Sequence, residues 1–187
     1  MRKKLIIASG GVCILTLTLI AYVLAADLNF GTASEYDSGA VRHTSGTEID
    51  TNKFVICYDE SSDGHCRVGS VNGTTITWGT KATFDSGDIR RDIWSLTDTC
   101  KLDTNKFAVV YVDDEDNDYG YTIIGSVSGT TITYGSAFNF VASDMEWGGC
   151  AGIDTDKWAI GYNDKGDTDT GKAIICTASG TTASCGT

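Results

Sequence analysis

The sequence predicts an all-β protein assembled from three tandem copies of one unit, and three observations predict it. A turn motif recurs: Ile49-Asp50-Thr51-Asn52-Lys53-Phe54 matches Leu102-Asp103-Thr104-Asn105-Lys106-Phe107 and Ile153-Asp154-Thr155-Asp156-Lys157-Trp158, with the first Asp residues 53 and 51 positions apart. A second motif follows each copy in the same order: Gly69-Ser70-Val71-Asn72-Gly73-Thr74-Thr75-Ile76-Thr77-Trp78-Gly79 matches residues 125–135, with a degraded version over 176–186. Beyond residue 26 no stretch carries the 3.6-residue apolar period of a helix, whereas short apolar runs bounded by Gly, Asn, Asp and Ser abound. A period of about fifty residues is that of propeller blades or stacked arrays.

The elements follow in chain order. Arg2, Lys3 and Lys4 precede a 22-residue apolar run over residues 5–26, and Val23-Leu24-Ala25 fits a small-x-small cleavage site. Residues 1–25 are therefore expected to be a signal peptide; the rival is an N-terminal membrane anchor, since about 20 apolar residues suffice to span a bilayer. Either way the β-repeat domain, residues 26–187, is exported, and the membrane is reached only through residues 5–26 if they are retained. Within each copy, a first strand ends at the Asp-Thr-Asn/Asp-Lys turn, whose side chains bond nearby amides. The second strand runs over residues 54–58, 107–112 and 158–162; both of its faces are apolar, so it needs cover on both sides. The third and fourth strands flank Asn72-Gly73, Ser128-Gly129 and Ser179-Gly180, taken as the central pairs of two-residue hairpins.

Four antiparallel strands per period, covered on both faces, is the logic of a β-propeller blade. From the turn motif through Gly125-Ser126-Val127-Ser128-Gly129-Thr130-Thr131-Ile132-Thr133-Tyr134-Gly135 the sequence resembles the tandem β-propeller-like repeats of microbial surface and phage-associated proteins, over about residues 28–187. The resemblance implies a scaffold or adhesive module and no catalytic activity.

The repeats are placed at about 43–87, 88–138 and 139–187, preceded by a spare strand over 28–36. That strand is inferred because Phe30-Gly31-Thr32 through Tyr36-Asp37-Ser38-Gly39 matches Trp78-Gly79-Thr80 through Phe84-Asp85-Ser86-Gly87. Three blades are few for a closed ring, which usually has about 4–8. Three readings stand side by side: two chains pair, the spare strand adds to a neighbouring copy's edge to give a fibre, or the sequence is truncated. Copies of itself are thus the expected partner.

Six cysteines lie beyond the leader, an even number in an oxidising compartment, with no CxxC and only two histidines in the chain. Cys57 and Cys66 face each other across an acidic hairpin. Cys176 and Cys185 flank the third Ser-Gly turn, in a register that sets Cys176 opposite Ala183 and Cys185 diagonal to it. Cys100 and Cys150 precede the second and third turn motifs and would staple two repeats.

Charge narrows the function further. Removing Arg2, Lys3 and Lys4, the only charged residues before Asp27, takes the net charge from −11 to −14. Such a surface repels nucleic acid. Asp114, Asp116 and Asp118 alternate ahead of Gly120 as Ca²⁺ loops do, but Tyr119 stands where an EF-hand glycine would be, and a solvated acidic turn explains them as well. No other cofactor is expected. Arg90, Trp94 and Trp147 are candidates for a saccharide or surface receptor, the alternative being blade-gap filling. Asn72-Gly73-Thr74 is a glycosylation sequon on a hairpin tip. His43 and His65 have no repeat equivalents and no nucleophile motif is visible, so an enzyme is not expected. The reading is a secreted, extracellular or cell-surface-anchored structural or adhesive protein that self-assembles; a lectin-like module is the alternative, and a glycan-active enzyme stands third.

Overall fold

The computed structural model describes residues 31–87, 89 and 97–186, with only the backbone at Trp147. The expected leader, residues 28–30 of the expected spare strand, Arg90 and Trp94 lie outside them. The chain divides into two compact units, 1–33 with 73–75 and 34–72 with 76–187. In the described part of the first, Gly31 lies so close to the Thr74 carbonyl that a Cβ would collide with it.

The described residues form strands and one three-residue 3₁₀ turn, Lys165–Asp167. The first sheet holds β1 (Val41–Asp50), β2 (Lys53–Glu60), β3 (Asp63–Asn72), β4 (Thr75–Trp78) and β5 (Ala82–Asp85). The second holds β6 (Asp98–Asp103), β7 (Lys106–Asp113), β8 (Tyr119–Ser128), β9 (Thr131–Tyr134) and β10 (Phe138–Val141). The third holds β11 (Met145–Asp154), β12 (Lys157–Asp164), β13 (Thr170–Ser179) and β14 (Thr182–Cys185). The chain is all-β, with three antiparallel sheets that follow the three repeats.

Local chemistry explains the meander. Asp50 pairs with Lys53, Asp103 with Lys106 and Asp154 with Lys157. In each turn the Asp carboxylate accepts the amide of the following Thr, at 2.8, 2.7 and 2.8 Å. The hairpin after the third strand differs from expectation by one residue. Ser128 pairs with Thr131 and Ser179 with Thr182, so Gly-Thr, not Ser-Gly, is the central pair. Glycine is required there because Gly73, Gly129 and Gly180 take φ of 60°, 62° or 63°. The shift sets Cys176 directly opposite Cys185 and Ala178 opposite Ala183, correcting the diagonal register.

The linkers also pair. β5 adds to β3 beyond β4, and β10 adds to β8 beyond β9, so each outer strand is broken rather than ended at Gly79 or Gly135. The second sheet accordingly runs through Val141, and the first begins at Val41. Residues 31–36 carry no strand.

The sheets pack face to face through equivalent surfaces. Ile49, Val55, Cys57, Cys66 and Val68 meet Phe107, Val109, Tyr111, Ile123 and Ile132 in one apolar core. Leu102, Ala108, Val110, Val112 and Ile124 meet Trp158, Ile160, Cys176 and Ala183 in the next. The first strands lie beside one another: the Asn105 amide donates to the Ile49 carbonyl at 2.9 Å, and a disulfide joins Cys100 of β6 to Cys150 of β11 across Cα atoms 5.7 Å apart. Cys57–Cys66 and Cys176–Cys185 close the other two bonds within their own sheets. All three expected pairings are present.

Candidate functional site

Two features of the stack are not explained by packing alone: a polar cluster at the end of each second strand, and an apolar face on the third sheet.

The cluster is built by position. Glu60, Asp113 and Asp164 end β2, β7 and β12; Tyr58, Tyr111 and Tyr162 stand two residues before them. An aromatic residue of the preceding segment lies against each tyrosine: Tyr36 on Tyr58 with ring centroids 5.1 Å apart, Phe84 on Tyr111 at 5.1 Å, Phe140 on Tyr162 at 5.5 Å. Two of these segments carry Asp-Ser-Gly next, where Asp37 accepts the Gly39 amide and Asp85 the Gly87 amide at 2.9 and 2.7 Å. Residues 36–39 therefore do for the first sheet what 84–87 do for the second.

The surroundings then diverge. In the first cluster the Tyr58 hydroxyl donates to Asp37 Oδ2 at 2.7 Å, and Lys81 Nζ reaches Asp37 at 3.3 Å and also Glu60. Burial alone would raise Asp37, but the Tyr58 hydroxyl, the Gly39 amide and Lys81 bring it down to about 2. Burial, joined by the Asp37 charge, pushes Tyr58 far up. His65, whose Nδ1 lies 3.0 Å from Thr83 Oγ1, is held below its ordinary value by burial and by Lys81. In the second cluster burial and the Asp85 carboxylate push Asp113 up against the backbone amides of Asp116 and Glu115, which hold it down. Tyr121 is raised to about 12, chiefly by its hydrogen bond to Asp116. In the third, Lys172 Nζ donates to Asp164 Oδ2 at 2.8 Å and Ser143 Oγ donates to Asp164 Oδ1 at 2.6 Å, holding that carboxyl below the usual range. Each cluster ties a linker to a strand end through charge and hydrogen bonds.

The candidate residues fall as follows. Asp116 bonds Tyr121, the Asp118 carbonyl accepts the Met145 amide, and Asp114 lies in the same turn between β7 and β8. Among the described residues no group of three or more His, Cys, Asp or Glu is arranged to hold a metal ion. Asn72 is exposed at the end of β3, where a sequon would need it. Arg90 and Trp94, and the side chain of Trp147, lie outside the described residues. Glu146, beside Trp147, is paired with Lys165 at 2.6 Å. Among the described residues no helix is long and apolar enough to cross a membrane.

The apolar face is the feature that sequence reasoning missed. Ile49, Leu102 and Ile153 are equivalent, yet they are 0%, 6% and 57% exposed. Val68, Ile124 and Ile175 are equivalent too, at 0%, 0% and 46%. Ala151, Ala159, Gly161 and Ala173 complete the same side of the third sheet, and none of the six is charged. A groove of about 460 Å³ lies at Ile174, Ile175 and Gly186. Another, of about 450 Å³, lies on the first sheet, where Phe54 and Val71 are joined by Glu48, Asp50 and Lys53. The signal was available in the repeat itself, since the face is apolar wherever the unit recurs; exposure depends on a neighbour and cannot be read from one unit.

No family model, curated protein or solved structure matches this chain.

Proposed function

We propose that this chain is a secreted, non-enzymatic β-repeat protein with a structural or adhesive role, of the kind found as tandem blade-like repeats in microbial surface and phage-associated proteins, and that it works as an assembly of copies. The observation that carries this reading is the exposure of Ile153 and Ile175 on a face otherwise made of Ala and Gly, with Lys157 at its edge. A stack of repeats stays soluble alone when its outermost face is polar, and exposed apolar patches mark interaction sites. The three disulfides support an oxidising, extracellular setting. The charge network at each strand end favours a scaffold: its carboxylates and hydroxyls bond one another across linker and strand.

Light scattering on the full chain over a range of concentrations tests the proposal. The expected mass rises with concentration and is unchanged by a chelator. A mass fixed at one chain throughout would overturn it.

A further inference from the structure

We propose that the open face of the third sheet seats the first sheet of a second copy, in the register that already joins first sheet to second and second to third. The inference rests on the self-assembling reading above and adds to it the surfaces, the direction and the register.

The two internal joints define what such a seat requires. One side supplies six positions on the first, second and third strands: Thr47, Ile49, Val55, Cys57, Cys66 and Val68 in the first sheet, and Cys100, Leu102, Ala108, Val110, Thr122 and Ile124 in the second. The third sheet presents Ala151, Ile153, Ala159, Gly161, Ala173 and Ile175 at those positions, and its two large residues are the exposed large hydrophobics of the described chain. The other side of each joint supplies an aromatic and an aliphatic residue on the second strand: Phe107 and Val109, then Trp158 and Ile160, all fully buried. The first sheet presents Phe54 and Ile56 there, and both remain partly exposed, as do Val71 and Ile76. A buried face of one sheet and its buried counterpart in the next are therefore both left open, one at each end of the described stack.

The first sheet also carries its linker in place. Tyr36 lies on Tyr58, the Trp78 indole donates to Ser34 Oγ at 2.9 Å, and Arg67 donates to the Gly79 carbonyl at 3.0 Å and to that of Tyr36. Arg67, which stands where Ile123 and Ile174 stand in the other sheets, thus reaches the joint with its guanidinium already bonded. The seated sheet needs no further segment to complete its polar cluster, but Gly31 lies against the Thr74 carbonyl as Gly79 lies against that of Thr130 and Gly135 against that of Thr181, so Gly186 of the other copy must take the place of Gly31.

One difference sets the strength of the joint. Within the chain the amide of Thr99 donates to Ser45 Oγ at 3.1 Å, and the amide of Cys150 donates to Asp98 Oδ2 at 2.8 Å. The third sheet has Gly149 at that position, so the amide of Gly46 in an incoming copy meets no such acceptor. With small residues at four of six positions as well, the contact between copies is weaker than those within one. It is a head-to-tail contact, which extends or closes into a ring according to the rotation per copy.

The register makes a covalent test. Cys100 pairs with Ala108 and Cys150 with Ile160; Ala151 pairs with Ala159, the equivalent of Ala108, and Gly46 with Ile56, the equivalent of Ile160. Ala151 and Gly46 are thus the positions that the Cys100–Cys150 bond would join across two copies. Full-length chains with Cys13→Ser, carrying Ala151→Cys and Gly46→Cys singly, should give a disulfide-linked dimer on mixing under mild oxidation, and neither alone should do so. In parallel, Ile153→Glu with Ile175→Glu, both on exposed side chains and so compatible with the fold, should lower the association constant by about a hundredfold or more. If the chain associates but the mixture does not cross-link and the glutamates leave association unchanged, the seat is wrong while self-assembly stands. A chain that stays monomeric at every concentration removes both. Should Gly46→Cys fail to fold, the glutamate pair decides alone.

Discussion

The second and third sheets present the same side of the same unit, and only one of those sides is buried. In the second, Leu102 and Ile124 lie against Trp158 and Ile160; in the third, Ile153 and Ile175 meet solvent. The four-strand meander, the Asp-Thr turn and the Gly-Thr hairpin recur in both, and the residues are equally apolar at these two positions. The difference teaches that in a stacked repeat the hydrophobic contribution belongs to the joint between units rather than to the unit. A side chain's worth to the fold is set by what its neighbour brings.

Substitution on the two sides of a joint should break the comparison most sharply. Trp158→Ala empties a fully buried site and should cost about 3–5 kcal/mol in chemical denaturation. Ile153→Ala should stay within about 0.5 kcal/mol for the isolated chain. Trp158→Phe sharpens the point. Among the described residues the buried indole N–H has no hydrogen-bond partner, and the equivalents of Trp158 are Phe54 and Phe107. Losing an unsatisfied donor offsets the lost volume, so this change should fall within about 1 kcal/mol of wild type.

The disulfides give the second contrast, between a bond that joins sheets and bonds within a sheet. Cys100–Cys150 spans 50 residues, and Cys57–Cys66 spans 9. The chain-entropy model gives about 4 kcal/mol for the first and about 2.5–3 kcal/mol for the second. Replacing each pair by alanine and measuring unfolding free energy checks the order; equal losses would argue that strain or residual structure dominates.

The smallest effect distinguishes the polar clusters. The folded value of Asp37, about 2, lies below its ordinary 3.8, so it contributes stability that is present above about pH 4 and lost as the pH falls through about 2. His65, lowered from 6.5, acts at higher pH: its contribution is complete above about 6.5 and declines as the pH drops toward its folded value. Unfolding free energy followed from pH 7 down to pH 2 should therefore fall in two stages. Asp37→Asn should shrink the lower stage, to which Asp164 also contributes, and extend the upper one to lower pH, because the Asp37 charge raises His65.

Much of this was legible in the sequence for a physical reason: the signals were local. Asp50, Asp103 and Asp154 form the turns their side chains favour, and the even cysteine count, with the repeat alignment, identified all three bonds. The hairpin register was misread by one residue because Asn72-Gly73 and Ser128-Gly129 look like central pairs. The positive φ instead puts glycine first in the pair and threonine second. β5 and β10 are not evident in the sequence because four residues after a break at Gly79 or Gly135 show too little alternation to declare a strand. The open face was illegible because Ile49, Leu102 and Ile153 look alike until the stack is assembled.

The Cys100–Cys150 bond has one more consequence, which concerns force. A protein pulled along its chain lengthens by unravelling, and each freed residue yields at most about 3.3–3.6 Å. With the bond intact, tension passes from β6 directly into β11, and the 50 residues between them are taken out of the extensible length. Roughly 170 Å of slack is thereby locked away and released only by a reductant. The same sulfur pair that fixes the joint between two sheets also sets how far the molecule stretches before it fails.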